Sequence, residues 1–259
     1  MRLYLNIVIL LTIILSGCSR EWDEPLLIAY DDSTYIYIMD EYGYNVKQIA
    51  IGINPSFSPN GEHIVYWRAN SFYTMNIMTK KEKLLVTASG YNFSTWSPDG
   101  SKIAFIDVGK LYTINADGTN KTPINNINSQ DHDQITWSSD SKIIACINNL
   151  FNQIVYFNLV DGTRTEVFAA VAPSISFSPI GDAIAYTVDP FLYIAKTDFT
   201  TIITLTNISD KNPSWSPDGS RLVYESIAGE IRIINSTGGT YTQISGAGYH
   251  HPSFQCKPR

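Results

Sequence analysis

Basic blocks are missing from this sequence. It has 18 Lys and Arg against 24 Asp and Glu, for a formal net charge of −6 and a pI near 5.2. Neutralising a phosphate backbone takes a basic face, so nucleic acid is excluded as a partner. Histidine and cysteine are scarce, at four and three residues. There is no H-E-x-x-H, no cysteine pair at zinc spacing, no Gly-rich phosphate loop and no G-x-S-x-G nucleophile elbow. No metal site and no cofactor are expected, and the chain reads as non-catalytic. Long apolar runs are also lacking. The one at Ile7–Leu15 is shorter than the ~20 residues a membrane-spanning helix requires.

What is present is a repeat. The stretch Asn212–Glu225 reads N-P-S-W-S-P-D-G-S-R-L-V-Y-E. Pro presets the first central position of a turn, Asp tolerates the second, and Gly takes the position of positive φ. The aromatic and β-branched flanks make the unit a β-hairpin. Aligned on the aromatic, the unit recurs at Phe57, Trp96, Trp137, Phe177, Trp215 and Phe254, with separations of 39, 41, 40, 38 and 39 residues. A small hydroxyl residue always precedes it: Ser56, Thr95, Thr136, Ser176, Ser214 and Ser253. A strand-rich period of about 40 residues indicates propeller blades.

The strand count closes the ring. Leu27–Tyr30, Tyr35–Met39 and Val46–Ile51 read as the second, third and outermost strands of a blade without a first strand. Full blades begin near Ile53, Tyr91, Gln134, Pro173 and Asn212, and His251–Phe254 is a first strand with nothing after it. The expectation is an all-β, six-bladed propeller of four-stranded antiparallel blades. One C-terminal strand joins three N-terminal strands, which removes an exposed sheet edge.

The N-terminus differs from the rest. Leu15-Ser16-Gly17-Cys18 follows the apolar run and resembles the lipobox of bacterial lipoproteins. That resemblance implies a signal peptide at 1–17, lipid on Cys18, a short linker through residue 26, and a propeller over 27–259. Stable anchoring then rests on more than one acyl chain, at ~0.8 kcal/mol per buried CH₂. Cys146 and Cys256 fall on blades opposite each other in a six-fold ring, beyond the ~7 Å Cα limit of a disulfide. Both are expected as thiols, with Cys146 buried as a small hydrophobe.

The turns sort by face. First-to-second-strand turns are tight, as at Pro59-Asn60-Gly61 and Pro217-Asp218-Gly219. Ser139-Asp140-Ser141 lacks both Pro and Gly and is expected to be looser. The turn aspartates read as structural. The opposite face carries the variable connections between blades, where binding usually resides. Candidate loop residues there are Asp131, His132, Asp133, Lys211 and His250. The residues three before each aromatic, Asn54, Phe93, Gln134, Ser174, Asn212 and His251, are expected to ring the channel mouth, with no charge cluster among them. His63 reads as a surface residue. Because neighbours on a strand point to opposite faces, His250 and His251 are not expected to serve one site.

The aromatic-Ser-Pro-x-Gly hairpins resemble the repeats of the TolB-like propeller family, over about Leu27 to Cys256. The resemblance implies a six-bladed ring that binds a partner at one channel mouth. The resulting expectation is a monomeric, lipid-anchored, extracytoplasmic module that binds a protein of the bacterial envelope. The alternative is a glycan-binding or lyase-like propeller using the same mouth, with His132 or His251 taking part.

Overall fold

The computed structural model describes residues 25–89, 93–124, 134–148, 153–168, 174–181, 183–206 and 210–255. Cys18, Asp131, His132, Asp133 and Cys256 lie outside the described residues, as does the leader at 1–17. The chain begins its ring with β1 (Leu27–Asp31), β2 (Tyr35–Asp40) and β3 (Lys47–Ile51). The first full blade is β4 (Ile53–Phe57), β5 (His63–Arg68), β6 (Ser71–Asn76) and β7 (Glu82–Thr87). The second is β8 (Ser94–Trp96), β9 (Lys102–Asp107), β10 (Lys110–Asn115) and β11 (Thr122–Pro123). The third is β12 (Ile135–Trp137), β13 (Ile143–Asn148), β14 (Gln153–Asn158) and β15 (Arg164–Phe168). The fourth is β16 (Ile175–Phe177), β17 (Ala183–Val188), β18 (Phe191–Lys196) and β19 (Ile202–Thr206). The fifth is β20 (Asp210–Trp215), β21 (Arg221–Ser226), β22 (Ile231–Asn235) and β23 (Thr242–Gln243), and β24 (His250–Phe254) ends the series.

Six four-stranded antiparallel sheets result, and the sixth has the order β24-β1-β2-β3. The C-terminal strand therefore supplies the missing first strand, with Phe254 opposite Ile28 and Ser253 opposite Ala29. The seam is reinforced where Gln255 N–H donates to Leu27 O at 2.8 Å and its side-chain amide reaches Gly61 O at 2.9 Å. Both ends of the described chain meet at the tight-turn face.

Among the described residues the hydrophobic core forms six clusters, each between neighbouring sheets. One packs Ala104 and Leu111 against Trp137 and Ile144; another packs Ala185 and Leu192 against Trp215 and Leu222. The repeat aromatics Phe57, Trp137, Phe177, Trp215 and Phe254 are buried there. Tyr66, Tyr186 and Tyr224 are buried as expected, while Tyr112 and Tyr193 are half-buried and stack on Phe105 and Tyr186. Cys146 is also core, and burial pushes its thiol up to about 12.

The small hydroxyls of the repeat tie blade to blade. Thr136 Oγ1 accepts the N–H of Phe177 at 2.9 Å, Ser214 Oγ that of Phe254 at 3.3 Å, and Ser253 Oγ that of Phe57 at 3.4 Å. Indole N–H groups add to this, Trp137 donating to Thr95 O at 3.2 Å and Trp215 to Ser176 O at 3.0 Å. A buried backbone N–H needs an acceptor, and an inner strand has no strand on its channel side to provide one.

A serine follows five of the six repeat aromatics, and it locks the tight turn. Ser97 Oγ donates to Asp99 at 2.6 Å and accepts Lys102 N–H at 2.9 Å; Ser216 does the same with Asp218 and Arg221. At Asp99 and Asp218 burial works to raise the pKa, but these donors outweigh it and hold both carboxyls below the usual range. The turn at Ser139–Ser141 is not looser, which corrects the expectation. Ser141 N–H closes on Ser138 O at 2.9 Å, and Ser141 itself takes φ 60 where the other turns use glycine. Ser138 Oγ supplies the same lock, donating to Asp140 at 2.7 Å and accepting Ile143 N–H at 2.9 Å.

Candidate functional site

The inner strands of three consecutive blades carry one extra residue. Ile53 and Ser56 are three apart but pair with Trp67 and Val65, which are two apart. Lys211 and Ser214 face Glu225 and Val223 in the same way, and His250 and Ser253 face Asp31 and Ala29. Each is a β-bulge, and the local backbone explains it: Asn54, Asn212 and His251 have φ of 54, 54 and 52 and each precedes proline. Proline gives the ladder no N–H, and Asn and His are among the side chains that tolerate the left-handed region. Bulges re-aim side chains, and here they turn toward the channel mouth.

The expected ring of mouth residues is largely assembled. Asn54, Phe93, Gln134, Asn212 and His251 line one cavity of about 140 Å³ on the channel axis. Ser174 is set back, fully buried, with its hydroxyl 2.7 Å from Thr187 Oγ1 and accepting Asn212 N–H at 3.1 Å. Gln134 spans the mouth, accepting Ile175 N–H at 3.0 Å and donating to Asn212 Oδ1. Phe93 stands edge-on to His251 with ring centroids 6.0 Å apart.

Sequence reasoning missed the charges behind this rim. Asp31 and Glu225 occupy equivalent positions near the ends of β1 and β21, at 0% and 1% exposure. Asp31 accepts from Ser33 N–H and Asn54 N–H, both at 2.9 Å, and lies 3.0 Å from His251 Nδ1. Glu225 accepts from Asn212 Nδ2 at 2.8 Å and His251 N–H at 3.3 Å, pairs with Lys211 Nζ at 2.9 Å, and lies 2.8 Å from His250 Nδ1. Burial works to raise the Glu225 pKa, but His250, Lys211 and Asn212 together hold it below the usual range. The signal for both acids was a carboxylate directly after the strand-centre tyrosine of an apolar strand, Tyr30-Asp31 and Tyr224-Glu225. A charge at such a position is kept only with partners.

His250 and His251 do serve one region, contrary to the alternation argument. The bulge at His251 breaks the period of two, and the rings stand 6.0 Å apart. Lys211 joins them through Glu225. His63 is half-buried on the other face. Among the described residues no group of three or more His, Cys, Asp or Glu is arranged to hold a metal ion.

The opposite mouth opens into a wider funnel of about 780 Å³, walled by the repeat aromatics, their preceding hydroxyls and the tight-turn prolines. Its walls repeat from blade to blade, and the locking serines are engaged within their own turns. The bulged mouth is where the blades differ.

Comparison with known proteins follows the same lines. A family model described as the TolB beta propeller domain matches residues 28–236. Among solved structures, TolB from Acinetobacter baumannii is similar with a TM-score of 0.78 at 18% identity, over 89% of this chain and 66% of that one. The chain thus spans just under two-thirds of that protein. A protein described as TolB from Agrobacterium tumefaciens gives 0.72 at 16% identity, over 89% and 94% of the two chains. A chain of a nidogen/laminin complex gives 0.77 at 7% identity, over 90% and 100%. At these identities the likeness concerns the fold. No curated protein matches in sequence.

Proposed function

Because the chain belongs to the TolB β-propeller family, we propose that it is a non-catalytic binding module for a protein of the bacterial envelope, held at the membrane by lipid on Cys18. The observation that carries this reading is the bulged mouth. Three neighbouring blades hold Asn54, Asn212 and His251 in the left-handed region, which non-glycine residues adopt uncommonly, and fully buried carboxylates support it. Sparsely populated, well-supported backbone positions cluster at binding sites. The anchor fits the same picture. The described chain enters β1 at the tight-turn face, the end of the channel opposite the bulged mouth.

The test is a pull-down of the detergent-solubilised full chain from its own envelope, with mass spectrometry of what is retained. A protein held by the native chain and lost on Asn54→Ala/Asn212→Ala supports the module. Saccharide fragments without a protein would move the site to the glycan reading. Lipidation is read separately: the intact mass shows acyl chains on Cys18, and Cys18→Ala releases the protein from membranes. A chain that starts elsewhere, or an unmodified Cys18, removes the anchor.

A further inference from the structure

The histidines give the mouth a definite chemical preference, which builds on the binding reading above. An ionised carboxylate only accepts hydrogen bonds. His251 Nδ1 faces Asp31 at 3.0 Å and His250 Nδ1 faces Glu225 at 2.8 Å, so in each neutral imidazole the hydrogen sits on Nδ1. Nε2 is then left as a lone-pair acceptor. Among the described residues neither Nε2 has a hydrogen-bond partner, and the two side chains are 30% and 28% exposed. The site is therefore built to accept hydrogen bonds from whatever enters it.

Charge points the same way. The described elements packed around the two rings bring Asp31 from β1, Glu225 from β21 and Lys211 from β20, two carboxylates against one ammonium. The other mouth residues, Asn54, Phe93, Gln134 and Asn212, are uncharged. A chain of net charge −6 also attracts basic partners at long range. The cavity of about 140 Å³ is close to the ~150 Å³ that holds one benzene-sized molecule, which suits a side chain and not a domain. Phe93 offers an aromatic ring beside His251, and a cation gains from such a ring.

We infer that the channel mouth is a receptor for one basic side chain of the partner, a lysine ammonium that donates to His251 Nε2 with His250 beside it. Protonating either imidazole converts its Nε2 from acceptor to donor and adds positive charge. The receptor therefore works through the neutral imidazole, with the hydrogen of each ring held on Nδ1 by its carboxylate.

The probe is Nα-acetyl-lysine N-methylamide, titrated into the ¹⁵N-histidine-labelled full chain in detergent and followed by NMR. The expected result has two parts: both rings show the Nδ1–H tautomer, and the Nε2 resonance of His251 shifts with the amine. The Nε-acetylated analogue, with no charge, should bind at least tenfold more weakly. Phe93→Ala lies on an unbulged blade and should weaken amine binding with little change in thermal stability. An Nε2–H tautomer, equal response to the amine and its acetylated analogue, or a site that takes Zn²⁺ and ignores the amine would overturn the inference. An envelope protein retained equally by the native chain and by His251→Ala would remove the lysine receptor and leave the binding module standing. Amine binding with no retained protein would do the reverse.

Discussion

The backbone N–H of Asn54 donates to the buried carboxylate of Asp31 at 2.9 Å, across the junction between the ring-closing blade and the first complete one. The same carboxylate takes Ser33 N–H and faces His251, so one side chain joins the seam, the bulge and the mouth. Removing it leaves two N–H groups and an imidazole short of a partner. Asp31→Ala should cost about 2–4 kcal/mol, read as a lowered urea midpoint with an unchanged slope. Asp31→Asn, which keeps one acceptor, should cost less.

Thr136→Val tests the hydroxyl ring. The substitution keeps the shape and removes the acceptor of Phe177 N–H, a buried bond of 2.9 Å. An unpaired buried N–H costs about 1–3 kcal/mol. Denaturation of Thr136→Val beside Thr136→Ser, which keeps the hydroxyl, should show the loss in the valine variant.

At Ser141 the turn uses a left-handed residue with a Cβ, at φ 60. Glycine there should relieve about 1 kcal/mol of backbone strain. The substitution also gives up the Asp99 N–H bond to Ser141 Oγ, 3.1 Å and exposed. Relief should exceed that exposed bond, so Ser141→Gly is expected to raise the thermal midpoint slightly. A lowered midpoint would mean that the link between blades outweighs the strain.

Asp210 gives a stability term with the opposite pH sign to most carboxylates. Burial pushes its pKa up to about 6, with Thr206 and Arg232 pulling the other way. The unfolded chain releases this proton near its ordinary pKa of ~3.9. Between about pH 4 and 6 the folded state therefore binds a proton that the unfolded state does not. The contribution is full below that window and lost as pH rises through about 6, an effect on the order of 3 kcal/mol. Asp210→Asn should flatten the stability profile over this window and raise the midpoint near pH 8. Arg232 keeps Glu230 as an ion-pair partner and Tyr241 as a stacking surface in that variant.

The blades were legible because their signal is local and repeated. A small hydroxyl residue and an aromatic recur in all six copies, and a serine, a proline and a glycine follow in four of them, which leaves little freedom in strand order. The bulges were partly legible too. Proline follows the mouth residue in only three of the six blades, at Pro55, Pro213 and Pro252, and a proline inside a strand marks an edge or a bulge. Strict strand alternation at His250 and His251 hid this there. The carboxylate network was not legible, because its partners are distant in sequence. His251 reaches Asp31 across 220 residues, and Asn54 reaches it across 23. Ring closure brings His251 to Asp31, and the packing of consecutive blades brings Asn54 to it. The role of the locking serines was hidden for another reason: Pro, Asp and Gly already account for a turn, so nothing in the pattern demanded a fourth participant.

The seam also determines how the ring carries mechanical load. Strand β1 enters between β24 and β2 and is hydrogen-bonded on both sides. A pull applied at Leu27 along the strand strains both ladders in shear, so many bonds resist at once. Had the chain opened with an innermost strand, the same pull would have been carried by one ladder alone. The borrowed C-terminal strand thus puts the point of traction inside a sheet, and the ring can be tugged from its N-terminus without being unzipped.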